Sequence, residues 1–486
     1  MRTVDGEVTM AAEKNDEYDL IVLGGGAVGE NVADRAVQGG LSAIIVESEL
    51  VGGECSYWAC MPSKALLRPA QALRAAQKVG GAAQAVTDTL DVRAVFDRRD
   101  SFTSNWSDDG QVKWLDSAGI DLARGHGRLT GEREVTVTDA DGGTRVIRAR
   151  HAVAISTGSD AVIPPIPGLA DAEPWTSREA TSAEELPESL AVIGGGVVAV
   201  EMATVYASLG STVTVIARGD LLGSLEPFAG ERVSKGLAEI GVDVRTGTGT
   251  TRVSRGDDGV TIELSDGSTV TASEVLVATG RRPRSGDVGL EVVGLEPGRW
   301  IDVDDTLRVP GSDWLYAVGD VNGRVLLTHQ GKYQARAAGD VIVARAKGDA
   351  VDDAPWGRHV ATADHSAAPQ VTFSYPEVAS VGLTEAQARE AGHEVAVVDY
   401  DLGSVAGASV YEDGFEGQAR LVIDSARDVV LGATFVGPEV AELVQAASIA
   451  VAGEVPIARL WHAVPAYPTV SEIWLRLLEG YGRQSA

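Results

Sequence analysis

Two cysteines are the only thiols in a chain of 486 residues, and they stand five positions apart in GGECSYWACMPSKALLRP, residues 52–69, as Cys55 and Cys60. Four kinds of chemistry use such a pair: a metal site, a structural disulfide, two unrelated buried thiols, or a redox couple. A zinc site needs four ligands, and the seven histidines fall at no recognisable ligand spacing. In a reducing compartment a structural disulfide is disfavoured. Buried thiols and a redox couple both remain compatible with the spacing. On an ideal α-helix, Cα atoms five residues apart are roughly 8–9 Å from one another, whereas a disulfide wants less than about 7 Å. A bonded pair therefore requires the segment to be bent, or not yet helical, at Cys55. Gly52, Gly53 and Pro62 permit this, and a helix starting there lowers a thiol pKa through its positive end.

The elements that must position the cysteines carry a pattern that occurs twice. Residues 18–29, YDLIVLGGGAVG, run from an apolar strand into Gly24-x-Gly26-x-x-Gly29, and a second strand over 42–46 delivers Glu47. The glycines allow a tight turn and close approach of a pyrophosphate to a helix N-terminus, and the acid accepts hydrogen bonds from a ribose diol. Residues 190–200, LAVIGGGVVAV, repeat the arrangement as Gly194-x-Gly196-x-x-Ala199. Its second strand, 212–216, ends in Ala217-Arg218 with no carboxylate. Arginine there suits a 2′-phosphate, so the second unit reads as preferring NADP, with NAD as the alternative. Ser224 in the following loop adds no second cation. The two units are too far apart for a solenoid repeat.

IPPIPG at 163–168 marks the passage into the second unit, and Gly280 opens GRRPR at 280–284, which marks the way out. From about residue 360 an alternating strand, QARLVID at 418–424, and an amphipathic helix, PEVAELVQAASIAVAG at 438–453, indicate a separate C-terminal domain. The chain is 44% hydrophobic and 23% charged, with a formal net charge of −29. Such an acidic surface excludes a nucleic-acid or anionic-membrane partner. No run of 18 apolar residues spans a membrane. The first 17 residues read as a short disordered lead-in without the apolar core of a signal peptide. The expected location is cytoplasmic.

The motif GG-x-C-x4-C-x-P-S-K, present as GGECSYWACMPSK, together with both glycine fingerprints resembles the flavoprotein disulfide reductases. Dihydrolipoamide dehydrogenase, glutathione reductase and mercuric reductase belong to that family, and the resemblance extends from about residue 17 to 480. It implies an α/β fold of two Rossmann-like dinucleotide-binding domains plus an α+β C-terminal dimerisation domain. FAD is expected on residues 17–160 and 283–355, the nicotinamide cofactor on 161–282, and the dimer interface on 360–486. By the same resemblance Gly53, Thr157-Gly158, Gly127, Asp320 and Thr328 touch the flavin. Lys64 lies near its reactive nitrogen, paired with Glu201. Cys60 is implied as the flavin-side thiol and Cys55 as the thiol that attacks substrate, in a relay that runs from NADPH to a disulfide.

Two residues depart from the family. Its acid–base histidine, in His-Pro-Thr-x-x-Glu, is replaced: AYPTVSE at 466–472 retains Pro468, Thr469 and Glu472 but has Tyr467. A phenol of ordinary pKa about 10 does not readily take a proton from a thiol at neutral pH. His462 is the nearest substitute, and the chain ends EGYGRQSA without a second cysteine pair. Glu54 stands where the family usually has threonine, and should repel a pyrophosphate unless it turns outward. The leading expectation is an NADPH-preferring disulfide reductase acting as a homodimer on a small-molecule acceptor. The alternative is a reductase of quinones, metal ions or other small oxidants, motivated by Tyr467 and by bulky Tyr57 and Trp58 between the cysteines. A third reading is a non-enzymatic subunit role.

Overall fold

The computed structural model describes residues 16–482. The expected lead-in falls outside the described residues except for its last two, and Glu17 already begins a strand. The final RQSA, 483–486, also lies outside them.

The first sheet is built around β1, Glu17–Leu23. Residues 20–23 are buried on both faces, which is why they read as an unbroken apolar run rather than an alternation. β2 (Ala43–Glu47) and β3 (Ile120–Arg124) continue the sheet in parallel on one side. β4 (His126–Gly131), β5 (Glu134–Thr138) and β6 (Thr144–Ile155) complete it in the order β3-β2-β1-β6-β5-β4. A later strand, Leu315–Ala317, pairs in parallel with the end of β6, so the chain leaves this sheet and returns to it. Between β1 and β2, helix α1 (Ala27–Gln38) turns Val32, Ala33 and Ala36 into the core. Truncating one of the β1 side chains here costs about 2–5 kcal/mol.

A four-stranded parallel sheet, Asp243–Arg245, Thr212–Ile216, Ser189–Ile193 and Glu274–Val277 in that order, forms the second unit. An antiparallel pair, Ser159–Ala161 with Arg281–Pro283, joins the way in to the way out. The last unit is a five-stranded sheet of antiparallel neighbours that includes Gln418–Asp424. Helix Val440–Ala452 packs on it, within the span expected from the sequence. Among the described residues no helix is long and apolar enough to cross a membrane.

Candidate active site: a dithiol beside a glycine-lined cleft

Cys55 lies in a five-residue helix, α2 (Gly53–Tyr57), and Cys60 is the first residue of α3, Cys60–Gln77. The chain bends between them: Ala59, ahead of α3, has φ −138° and ψ −97°. The required break is therefore present, but it comes after Cys55, which is itself helical. Gly52 and Gly53 supply the turn into α2 with φ of +112° and +59°. Both cysteines are free thiols, half-buried, and are hydrogen-bonded to each other. Thr328, the first residue of helix Thr328–Lys347, places its Oγ1 3.3 Å from Cys60 Sγ.

The pair is electrically asymmetric. The hydrogen bond from Cys55 lowers the Cys60 pKa most, Thr328 and the charge of Lys64 lower it further, and burial opposes them, giving a value of about 6. The Cys55 pKa is raised, first by its hydrogen bond to Cys60, then by burial and by the neighbouring sulfur's charge. The two sulfurs titrate as a pair, and the opposite directions of their shifts favour the negative charge on Cys60.

Lys64, one turn into α3, lies 2.7 Å from Glu201 Oε2 and 5.0 Å from the centroid of the Phe373 ring. Glu201 sits on helix Val197–Leu209 of the second unit with its side chain 4% exposed, and its other oxygen accepts from Phe373 N at 2.9 Å. One ion pair thus joins the dithiol helix, the second unit and the C-terminal sheet.

A cleft of about 650 Å3 borders the dithiol and includes Gly24, Gly26, Glu47, Gly127, Thr157 and Gly158 in its wall. Gly24 has φ +98°, and a Cβ there would lie 2.5 Å from Ser156 O. A Cβ at Gly29 would lie 2.0 Å from Gly24 O, so α1 approaches the loop only through glycine. At Gly26 and Gly158 an added Cβ meets nothing closer than 3.8 Å, leaving backbone open to the cleft. Glu47 accepts from Gly25 N and Glu49 N, both at 2.7 Å, through different oxygens, and each oxygen keeps a lone pair for a ribose hydroxyl. Gly53 packs so closely on Gly26 that a Cβ would lie 2.8 Å from its Cα. These residues fit a dinucleotide such as FAD. Gly127 has a packing reason as well, since a Cβ there would press Leu23 and Val46 at 2.8 Å.

Asp320 opens a short 3-10 turn, accepts from Ser159 Oγ at 2.6 Å and lies 3.8 Å from Arg281. Thr157 Oγ1 donates to Arg284 O at 2.6 Å. In the second unit Gly194 has φ +139°, and a Cβ would lie 2.2 Å from Ala278 O, while nothing stands within 4 Å of one at Gly196. Ala199 is fully buried in the helix that follows. Gly280, with φ +137°, is also open. Arg218, two residues beyond the end of its strand at Ile216, is exposed and makes no ion pair or hydrogen bond among the described residues.

Several findings were invisible in the sequence. Glu54 is turned into a cluster: its Oε1 accepts from Arg178 Nε at 2.5 Å and from Arg284 Nη2 at 2.9 Å. Arg178 also pairs with Glu49 at 2.7 Å and stacks 4.2 Å from the Trp58 ring. Arg284 pairs with Asp160 as well. The carboxylate is thereby neutralised rather than left against a phosphate. Tyr57 is 1% exposed and donates to Val51 O, so it faces the core and not an acceptor. Tyr467 is 77% exposed, and Glu472 is buried with Oε2 accepting from Gly407 N at 3.0 Å. Within one subunit neither reaches the cysteines.

The chain is similar to known proteins over nearly its whole length. The family model described as pyridine nucleotide-disulphide oxidoreductase matches residues 18–339, and its dimerisation domain matches 368–477. A dihydrolipoyl dehydrogenase of Chlorobaculum tepidum is 33% identical over 96% of both chains. A mercuric reductase of Streptomyces lividans is 33% identical over 94% of both. Among solved structures, the Cu(II) complex of the HOCl-induced flavoprotein disulfide reductase RclA from Escherichia coli superposes with a TM-score of 0.81 at 23% identity. It covers 95% of this chain and 99% of that one. At that identity it bears on the fold alone. With the matches to the family models and these relatives in hand, the chain belongs to the pyridine nucleotide-disulphide oxidoreductases, enzymes that use FAD and NAD(P)H.

Proposed function

We propose that this enzyme takes electrons from NADPH and delivers them through Cys55 and Cys60 to a small disulfide, working as a cytoplasmic homodimer. The observation that carries the reading is the free dithiol, with Cys60 Sγ 3.3 Å from Thr328 Oγ1, beside a glycine-lined cleft that Cys55 borders. When bound, FAD supplies two-electron passage between the nicotinamide and the sulfurs, held by Gly24, Gly26, Gly29, Glu47, Gly53, Gly158 and Asp320. The nicotinamide cofactor is held by Gly194, Gly196, Ala199 and Gly280, and its 2′-phosphate by Arg218.

The protein's own chemistry is a thiol exchange. Cys55 passes its proton to the Cys60 sulfur and attacks one sulfur of the substrate as a thiolate, giving a mixed disulfide, and the departing thiolate takes that proton from Cys60. The Cys60 thiolate then attacks Cys55 Sγ, closing the Cys55–Cys60 disulfide and releasing the second thiolate. NADPH restores the dithiol. Cys55 borders the cleft and Cys60 reaches it through Thr328, so position alone favours Cys55 as the flavin-side sulfur. The lowered pKa of Cys60 supports the opposite assignment, with Cys60 as the thiolate held beside the flavin and Cys55 as the sulfur that meets substrate.

Residues 17–160 with 283–355, 161–282 and 360–486 are proposed as the three domains. The return of Leu315–Ala317 to β6 and the two-stranded crossing at 159–161 and 281–283 support the discontinuity of the first. Val410, Ile449, Val464 and Tyr467, between 60% and 84% exposed, support a covered face on the unit matched by the dimerisation domain. Tyr467 and Glu472 would then serve the partner's dithiol. The test is turnover of a panel of disulfides against quinones, with Cys55→Ser: the reading requires disulfide turnover that the variant abolishes.

A further inference from the structure

How far apart the two sulfurs stand depends on the bend between α2 and α3, at Trp58 (φ −137°, ψ 6°) and Ala59 (φ −138°, ψ −97°). That bend is held from outside, by the short helix Ser177–Ser182.

The helix is itself anchored in the second unit. Trp175, two residues before it, donates through its backbone to Val275 O and accepts from Val277 N, both at 2.8 Å. Tyr206, on the helix that carries Glu201, donates to Ala180 O at 2.6 Å. Thr176 and Glu179 cap its N-terminus reciprocally.

From this support, side chains reach both ends of the α2 segment. Arg178 Nε donates at 2.5 Å to Oε1 of Glu54, the residue just before Cys55. Its Nη1 and Nη2 donate to the two oxygens of Glu49 at 3.1 and 2.7 Å. All three nitrogens are engaged, so the guanidinium plane is fixed. That plane stacks 4.2 Å from the Trp58 ring centroid as a cation–π contact. Tyr57 meets the same ring edge-on at 5.6 Å. Thr181 Oγ1 donates to Trp58 O at 2.9 Å, sharing its proton with Ser177 O at 2.8 Å. Arg284 already donates to Glu54 at 2.9 Å, so neutralising that carboxylate does not account for the stacking of Arg178 on Trp58.

A bend ordered in advance keeps the two sulfurs at high effective concentration, whereas a bend ordered only on closure costs conformational entropy. We infer that Arg178 is a positioning residue for the dithiol: through the Trp58 ring and Glu54 it holds the bend in which the Cys55–Cys60 disulfide closes, and so favours that disulfide over the dithiol. The inference rests on the redox reading of the pair and extends it, because the helix that positions the sulfurs is fastened to the second unit.

The experiment equilibrates the flavin-loaded full chain anaerobically with glutathione and its disulfide at pH 7. Two glutathione thiols join as one glutathione disulfide, and the two electrons and two hydrogens they give up convert the Cys55–Cys60 disulfide to the dithiol. Alkylation and mass measurement then give the ratio of the two forms. Arg178→Met shifts the equilibrium toward the dithiol by about threefold to tenfold, which is about 15–30 mV for a two-electron couple. Arg178→Lys, which keeps a charge on the carboxylates and loses the flat ring contact, shifts it about twofold to threefold. Trp58→Leu matches Arg178→Met, and the double variant shifts no further than the larger single one, since both act through one contact. A purely structural role lowers the melting temperature and leaves the ratio alone. Ratios within about 1.5-fold of native in Arg178→Met and Trp58→Leu, or additive shifts in the double variant, overturn the proposal. Where Arg178→Met does not fold, Arg178→Lys and Trp58→Leu decide it by the same criterion. No disulfide in native protein at any glutathione ratio overturns the redox reading of the pair, and this inference with it.

Discussion

The Lys64 ammonium and the Glu201 carboxylate meet at 2.7 Å, bringing two units of the fold together one turn from a reactive cysteine. Lys64 stabilises negative charge on Cys60, and Glu201 partly cancels it. Lys64→Met therefore raises the pKa of the Cys60 thiol, and Glu201→Gln lowers it, each by about one unit. The pH dependence of the thiolate's long-wavelength absorbance beside the flavin checks both directions. Glu201→Ala also breaks a largely buried pair, but Lys64 is 36% exposed and turns to water. The loss is accordingly limited to about 1–3 kcal/mol, read by thermal denaturation.

The two glycines of the second fingerprint are predicted to fail differently. Gly194→Ala drives a Cβ into Ala278 O and occupies a positive φ, so the melting temperature falls. Gly196→Ala meets nothing in the protein. Its melting temperature stays within about 2 °C of native, while KM for NADPH rises about tenfold or more as the methyl obstructs the pyrophosphate. Thermal melts and steady-state kinetics on the two variants separate fold from binding.

Arg218 is exposed and makes no ion pair among the described residues, which leaves its charge free for a 2′-phosphate. Arg218→Ala raises KM for NADPH about tenfold to a hundredfold and leaves KM for NADH within about twofold. Equal effects on the two cofactors would remove the basis for an NADP preference.

Glu54 is held by Arg178 and Arg284. Glu54→Thr releases one hydrogen bond from each arginine while Glu49 and Asp160 still hold them. The stability loss is about 1 kcal/mol. Removing the carboxylate that neutralises Arg284 on the cleft wall leaves that wall more positive and tightens FAD retention about threefold to tenfold, measured as the rate of flavin release on dilution.

Much of this site was legible because it rests on local sequence. Turns that only glycine permits at Gly24 and Gly194, and the close approach of a helix at Gly29, made these positions readable, and unbroken apolar runs located the buried strands. The cysteine spacing required a bend, though not its position: the break falls at Trp58-Ala59, after Cys55 rather than at it. What escaped were contacts between distant segments. Arg178 and Arg284 reach Glu54 across 124 and 230 residues, and nothing in the periodicity around them differs from that of an ordinary surface arginine. Tyr57 misled for a related reason, since a bulky residue between two cysteines reads as facing substrate until its 1% exposure is known. Tyr467 is exposed in a single subunit, and a contact made between two copies of the chain leaves no local pattern in its sequence.

The central claim is that the reduced pair carries its charge on Cys60 and its exchangeable proton on Cys55. A pKa lowered to about 6 means that the thiolate persists above that pH and is lost as the pH falls through it. The most direct measurement is anaerobic titration of the flavin-loaded enzyme with NADPH, following the long-wavelength band from pH 5 to 8 in native protein, Cys55→Ser and Cys60→Ser. The account predicts a band in native enzyme with a midpoint near 6. In Cys55→Ser the band persists with a raised midpoint, because the strongest stabilising hydrogen bond is weakened, and in Cys60→Ser it is absent. A band that survives in Cys60→Ser and vanishes in Cys55→Ser would contradict it.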